Sequence, residues 1–153
     1  MSTFDPARFA PFTDSSRYQR SGLILVDPAA ERVISQIASA LPADRIDWVK
    51  QTVECLRPDQ RWISQEPDDV LGQLRMVAQG PAAFAARIVE GLDFAVARWK
   101  RADVVHFWGK FVSLSKQPPH AVLIVLPTSA AFLQPSAEDL ETLETQGRVL
   151  RPV

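Results

Sequence analysis

The sequence holds one cysteine, Cys55, and two histidines, His106 and His120, in 153 residues. A lone cysteine excludes an intrachain disulfide, and one thiol with two imidazoles gives no framework for a structural zinc site. Glycine is also scarce. The six glycines, at 22, 72, 80, 91, 109 and 147, never fall close enough to form GxGxxG or GxxxxGK followed by Ser or Thr. P-loop and dinucleotide-fingerprint enzymes are therefore disfavoured, because a phosphate cradle needs closely spaced residues without side chains. The GxSxG elbow, the HExxH pair and the EF-hand loop are missing as well, which removes the motif-bearing hydrolases, zinc proteases and calcium sensors. No catalytic residue, metal ligand or cofactor is assigned, and the balance leans against an enzyme.

An excess of either charge is lacking too. With 17 Lys+Arg against 18 Asp+Glu the net charge is −1, so no overall field attracts nucleic acid or an anionic membrane, and any such site must be local. Long apolar runs do not occur. The most apolar one, Ala121 to Leu126, is far short of the ~20 residues of a membrane span, and Pro127 ends it. The start, Met1-Ser2-Thr3-Phe4-Asp5-Pro6, does not read as a secretory signal, which needs a basic start and a continuous apolar stretch. The expected setting is the cytoplasm, with no membrane partner.

What is present is the composition of an ordinary globular domain, 46% hydrophobic and 23% charged. Residues 1–20 carry Pro6, Pro11, an Asp14-Ser15-Ser16 turn cluster and the aromatics Phe4, Phe9, Phe12 and Tyr18 without periodicity, and read as an irregular arm. Residues 21–153 show no repeat or linker and read as a single domain. Gly22-Leu23-Ile24-Leu25-Val26 suits a buried strand, with Asp27 and Pro28 as N-cap and first position of a helix. Val33, Ile34, Ile37, Ala38 and Leu41 form that helix's apolar stripe, which Pro42 stops. A second helix is expected from Asp44 on Ile46, Val49, Val53 and Leu56, a third over 67–79, and a fourth over 81–102 on Phe84, Ile88, Leu92, Ala95 and Trp99.

From Val104 the chain becomes rich in β-branched and aromatic residues. The 104–114 stretch is expected as strand, in one piece or split at Gly109, pairing antiparallel with 121–126 across Pro118-Pro119. Ser136-Ala137-Glu138-Asp139 opens a last helix, and 148–151 adds a terminal strand. The expected fold is α/β (α+β-like), a small mixed sheet of about four strands packed by about five helices.

Four features are weighed for function. Segment 98–116 interleaves basic residues (Arg98, Lys100, Arg101, Lys110, Lys116) with Trp99, Phe107, Trp108 and Phe111, a mixture that suits phosphate tracking with base stacking, or a protein interface enriched in Trp and Arg. The strand ends at Asp27 and Thr128-Ser129 are where α/β folds place ligands, although capping explains these residues equally. Cys55 sits in an expected helix interior, the usual place of an inert thiol. The acidic residues Glu138, Asp139, Glu141 and Glu144 oppose the basic segment in sign and permit self-association.

The favoured reading is a non-catalytic intracellular protein-binding module, an adaptor, regulator or inhibitor, using Phe9, Phe12, Arg98, Trp99, Arg101, Trp108 and Lys110. It expects Phe9, Phe12 or Trp108 in an exposed apolar patch. The alternatives are a nucleic-acid-binding protein using 98–116 and a small α/β enzyme with a site near Asp27 and Ser129.

Overall fold

A computed structural model describes residues 6–13, 21–27, 31–54, 56–59, 61, 65–80, 84, 86–113 and 120–151. Its centre follows from two apolar runs. Strand β1 (Gly22–Val26) and a later strand, β4 (Ala121–Pro127), are almost wholly buried on both faces, as strands in the middle of a covered parallel sheet must be. Between them in sequence lie β2 (Ala43–Asp47) and β3 (Ala86–Glu90), and β5 (Val149–Leu150) closes the chain. The sheet order is β2-β3-β4-β1-β5, and every pairing is parallel.

Seven α-helices are described: α1 (Ala10–Thr13), α2 (Glu31–Ala40), α3 (Trp48–Glu54), α4 (Pro67–Gln79), α5 (Leu92–Ala95), α6 (Arg101–Phe111) and α7 (Ala137–Thr145). Alternation along the strands divides the core into two layers. Leu23, Leu25, Val122, Ile124 and Leu126 face a layer built with Trp48, Leu74, Leu92, Phe107, Trp108 and Phe111. Ile24, Val26, Leu123 and Val125 face the other, which holds Ile34 and Ile37 of α2 and Leu41 just after it, together with Phe9 and Phe12. The handedness of parallel crossovers accounts for this division. The step from β1 to β2 runs one way across the sheet, and the steps β2 to β3, β3 to β4 and β4 to β5 run the other. Right-handed connections then place α2 on one face and the later helices on the opposite one.

The expected α/β class is observed, with five strands and seven helices among the described residues. The elements at 22–26, 31–40, 67–79, 121–127, 137–145 and 149–150 lie where the sequence places them. Three expectations need correction. The expected strand at 104–114 is not found: α6 takes up residues 104–111, with Val104, Phe107, Trp108 and Phe111 buried along one helical face, 112–113 form a turn, 114 lies outside the described residues, and among the described residues nothing pairs antiparallel with β4. Where a helix is expected over 81–102, the described residues hold instead β3, a turn at Gly91 with φ of +81°, short α5 and the start of α6, while 81–83 and 85 lie outside the described residues. The helix expected from Asp44 begins only at Trp48, because residues 43–47 pair with β3 as an edge strand. The sheet is thus parallel throughout rather than mixed.

Two polar arrangements, one partly buried and one buried, tie neighbouring elements together. Trp48 Nε1 donates to Gln65 Oε1 at 2.9 Å and Trp99 Nε1 to the Gln65 carbonyl at 2.7 Å, so one glutamine satisfies two indoles. At the amino end of the sheet the fully buried Arg148 donates to the carbonyls of Ser21 (2.6 Å) and Val112 (2.8 Å) and to Gln146 Oε1 (2.6 Å). It ties the starts of β1 and β5 to the C-terminus of α6, where a cation also opposes the helix dipole.

Candidate functional site

The structure scatters the residues expected to bind a partner. Phe9 and Phe12 lie in the α2-side core, and Trp108 lies in the opposite one with its indole donating to the Leu133 carbonyl at 2.6 Å. The expected exposed patch from these three rings does not form, because each is worth more as core than as surface. Trp99 is partly buried, its ring 5.1 Å from that of Phe107.

Arg98, Arg101 and Lys110 are exposed. Arg101 donates to the carbonyls of Phe132 (3.4 Å) and Gln134 (3.1 Å), fastening the segment after β4 to the start of α6. Lys110 lies in the last turn of α6, and nine residues of helix put it about 14 Å from Arg101 along the axis. The basic residues thus mark two ends of a helix. Lys116 lies outside the described residues, as does Cys55.

Asp27 and Ser129 are brought to the same end of the sheet. Val26 is the register partner of Pro127, and the Thr128 amide donates to the Val26 carbonyl at 2.8 Å, so the exits of β1 and β4 are adjacent. These exits feed crossovers to opposite faces. Such a reversal between neighbouring strands is the topological switch point of an open parallel sheet. Neither histidine joins it. His120 precedes β4 whereas Ser129 follows it, which separates them by the strand's length, about 23 Å. His106 pairs with Asp68 on the surface between α6 and α4 at 2.9 Å. Among the described residues no three His, Cys, Asp or Glu side chains gather to hold a metal ion.

A better-formed concavity lies at the carboxyl ends of β2 and β3. Arg45, Asp47, Val49, Glu90, Gly91 and Phe94 line a cleft of about 620 Å³, within the range of roughly 300–1,000 Å³ usual for ligand sites. Its polar part is built by the ladder. Asp47 stands opposite Glu90, and Arg45, two residues earlier, reaches Glu90 with both arms, Nε to Oε2 and Nη2 to Oε1, each at 2.7 Å. The third nitrogen of the fork donates to Ser35 Oγ of α2 at 3.0 Å. Asp47 ends the strand and caps α3, its Oδ1 accepting the Lys50 amide at 3.1 Å. The left-handed turn at Gly91 swings the chain from β3 directly into α5.

The apolar part of this region is exposed, as Met76 and Phe132 are elsewhere. Phe94 is 78% exposed, Val53 58% and Val49 44%. Val49 and Val53 are one turn apart on α3, and Val49 shares the cleft wall with Phe94. None of the cleft residues was expected as a site from the sequence. Val49 and Val53 were expected to pack inward with Ile46 as a helical stripe, but Ile46 belongs to a strand, and only it reaches the core. The one usable signal was Phe94, which falls outside the apolar spacing of its segment.

Comparison with known proteins leaves this geometry to stand alone: no protein-family model matches the chain, and no curated protein matches it.

Proposed function

We propose that this protein is a non-catalytic intracellular protein-binding module, an adaptor, regulator or inhibitor, and that the partner docks at the β2–β3 edge. The observation that carries the reading is the exposure of Val49, Val53 and Phe94 beside a charged cleft. Large apolar side chains left in water together, with polar groups around them, are the composition of an interface core and rim. The support thus moves from Phe9, Phe12 and Trp108 to a different aromatic and a different arginine.

The test is capture of partners by the tagged chain at low and high salt with nuclease present, comparing the native protein with Phe94→Asp. A stoichiometric protein that survives salt and nuclease, and is lost with Phe94→Asp, is the expected result. Equal recovery by both forms would falsify docking at this edge. Recovery of nucleic acid alone, lost at high salt, would transfer the function to Arg98, Lys100, Arg101 and Lys110.

A second reading has one specific observation behind it, the switch point between the exits of β1 and β4 beside Asp27 and Ser129. It takes the chain as a small-ligand α/β protein or enzyme. A metabolite extract that raises the melting temperature of the native chain, but not of Asp27→Asn with Ser129→Ala, would favour it over protein docking.

A further inference from the structure

We infer that the group entering the β2–β3 cleft is a long cationic side chain, Arg or Lys, carried by a segment of the partner protein. This rests on the docking reading above and specifies its chemistry. The cleft has two kinds of wall, and few side chains satisfy both. Val49 and Phe94 present apolar surface. The polar wall holds Arg45, Glu90 and Asp47, and the first two neutralise each other through a two-armed pair at 2.7 Å that occupies both Glu90 oxygens.

Asp47 is left as the uncompensated charge. Its Oδ1 caps α3, and among the described residues its carboxylate has no ion pair and Oδ2 accepts no hydrogen bond. A wholly apolar occupant would strip water from that carboxylate and return nothing, whereas an acidic one would be repelled by it. A lysine or arginine lays its methylene stem along Val49 and the Phe94 ring and brings its charge to Asp47. The Arg45–Glu90 pair lies beside Asp47 on the same wall, its charges matched within the pair.

The experiment uses three fluorescent peptides that share an alternating leucine and serine frame and differ only in carrying arginines, glutamines or glutamates. Binding to the full chain is read by polarisation at low and high salt. The arginine peptide is expected to bind about tenfold more tightly than the glutamine peptide at low salt, with that preference shrinking as salt screens the exposed pair. Asp47→Asn should reduce that preference severalfold, leaving only what the cation gains from the Phe94 ring. It should also fold, because asparagine caps a helix as well as aspartate does. Phe94→Ala should weaken both the arginine and the glutamine peptides, and its exposure makes a folding defect a poor explanation for that loss.

Equal binding of the arginine and glutamine peptides, preference for the glutamate peptide, an unaltered preference in Asp47→Asn, or no binding of any peptide at millimolar concentration each overturns the inference. Partner capture separates this from the docking reading. Capture lost with Phe94→Asp but kept with Asp47→Asn rejects the cation and retains the edge; capture kept with both rejects the edge itself.

Discussion

Arg148 joins three separate pieces of the chain, at Ser21, Val112 and Gln146. Beyond the two carbonyls and Gln146, its Nη2 donates to Ser21 Oγ at 2.5 Å, and that hydroxyl in turn donates to the Phe111 carbonyl at 3.0 Å. Burial lowers the guanidinium from its ordinary range to about 10. Below about pH 10 it is charged in both the folded and the unfolded chain, so its burial cost is fully present. As pH rises above that the folded form loses its proton first, the unfolded chain binds more protons, and this residue's contribution shifts towards folding. From roughly pH 5 to 9 it therefore adds no pH dependence. Arg148→Met leaves several buried carbonyls unpaired and should cost about 3 kcal/mol, lowering the melting temperature by roughly 6–12 °C at pH 7. A drop below about 2 °C would show that water replaces the guanidinium without penalty. Single residues also account for what was hard to read: nothing in the sequence marks Arg148 as buried, since arginine is ordinarily a surface residue.

At the scale of elements the contest was between propensity and period. The 104–114 stretch is β-branched and aromatic, the composition of a strand, yet Val104, Phe107, Trp108 and Phe111 stand at offsets 0, 3, 4 and 7, the spacing of a helix. Packing settles it for the helix: all four are buried, Phe107 and Phe111 stack at 5.8 Å, and the Asp103 carboxylate accepts the Lys100 amide at 3.0 Å to close the first turn. Gly109 distinguishes the two descriptions. It is exposed within α6, and a β-carbon there would come no nearer than 4.0 Å to Asp139. Gly109→Ala should accordingly stabilise the protein by about 0.5–1 kcal/mol in thermal or urea unfolding. A bulge in a strand would lose stability on the same change. The segments at 43–47 and 86–90 erred the opposite way, because Ile46, Val49 and Val53, like Ile88 and Leu92, also fit a helical period. Only their pairing, Ala43 with Ala86 through Asp47 with Glu90, makes them strands.

Over the whole molecule, sheet order decides where stability and openness lie. β4 is flanked by β3 and β1, and β1 by β4 and β5, whereas β2 has one neighbour. Hydrogen exchange should be slowest at the amides of Leu23–Leu25 and Leu123–Val125 and faster by orders of magnitude along β2. Uniform protection across the five strands would contradict that gradient. The β2 edge is charged at Asp44, Arg45 and Asp47, a composition that discourages strand addition. The proposed docking instead uses the cleft at its end, where Val49 and Val53 of α3 and Phe94 of α5 are exposed.

Read alone, the sequence determined the α/β class, the two apolar strands at 22–26 and 121–126, the amphipathic helices at 31–40 and 67–79, and the Ser136 cap of α7, where the Asp139 amide donates to the hydroxyl at 3.3 Å. It also placed Asp27 and Ser129 at strand ends. These are local matters: a continuous apolar run, a 3.6-residue period or a capping residue acts on its own neighbours in the chain. Strand order, the parallel pairing of β2 with β3, the burial of Phe9, Phe12 and Trp108, and the cleft between Arg45 and Phe94 were decided by tertiary structure. Each depends on residues distant in sequence, and pairing energy and shared burial leave no period along a single chain.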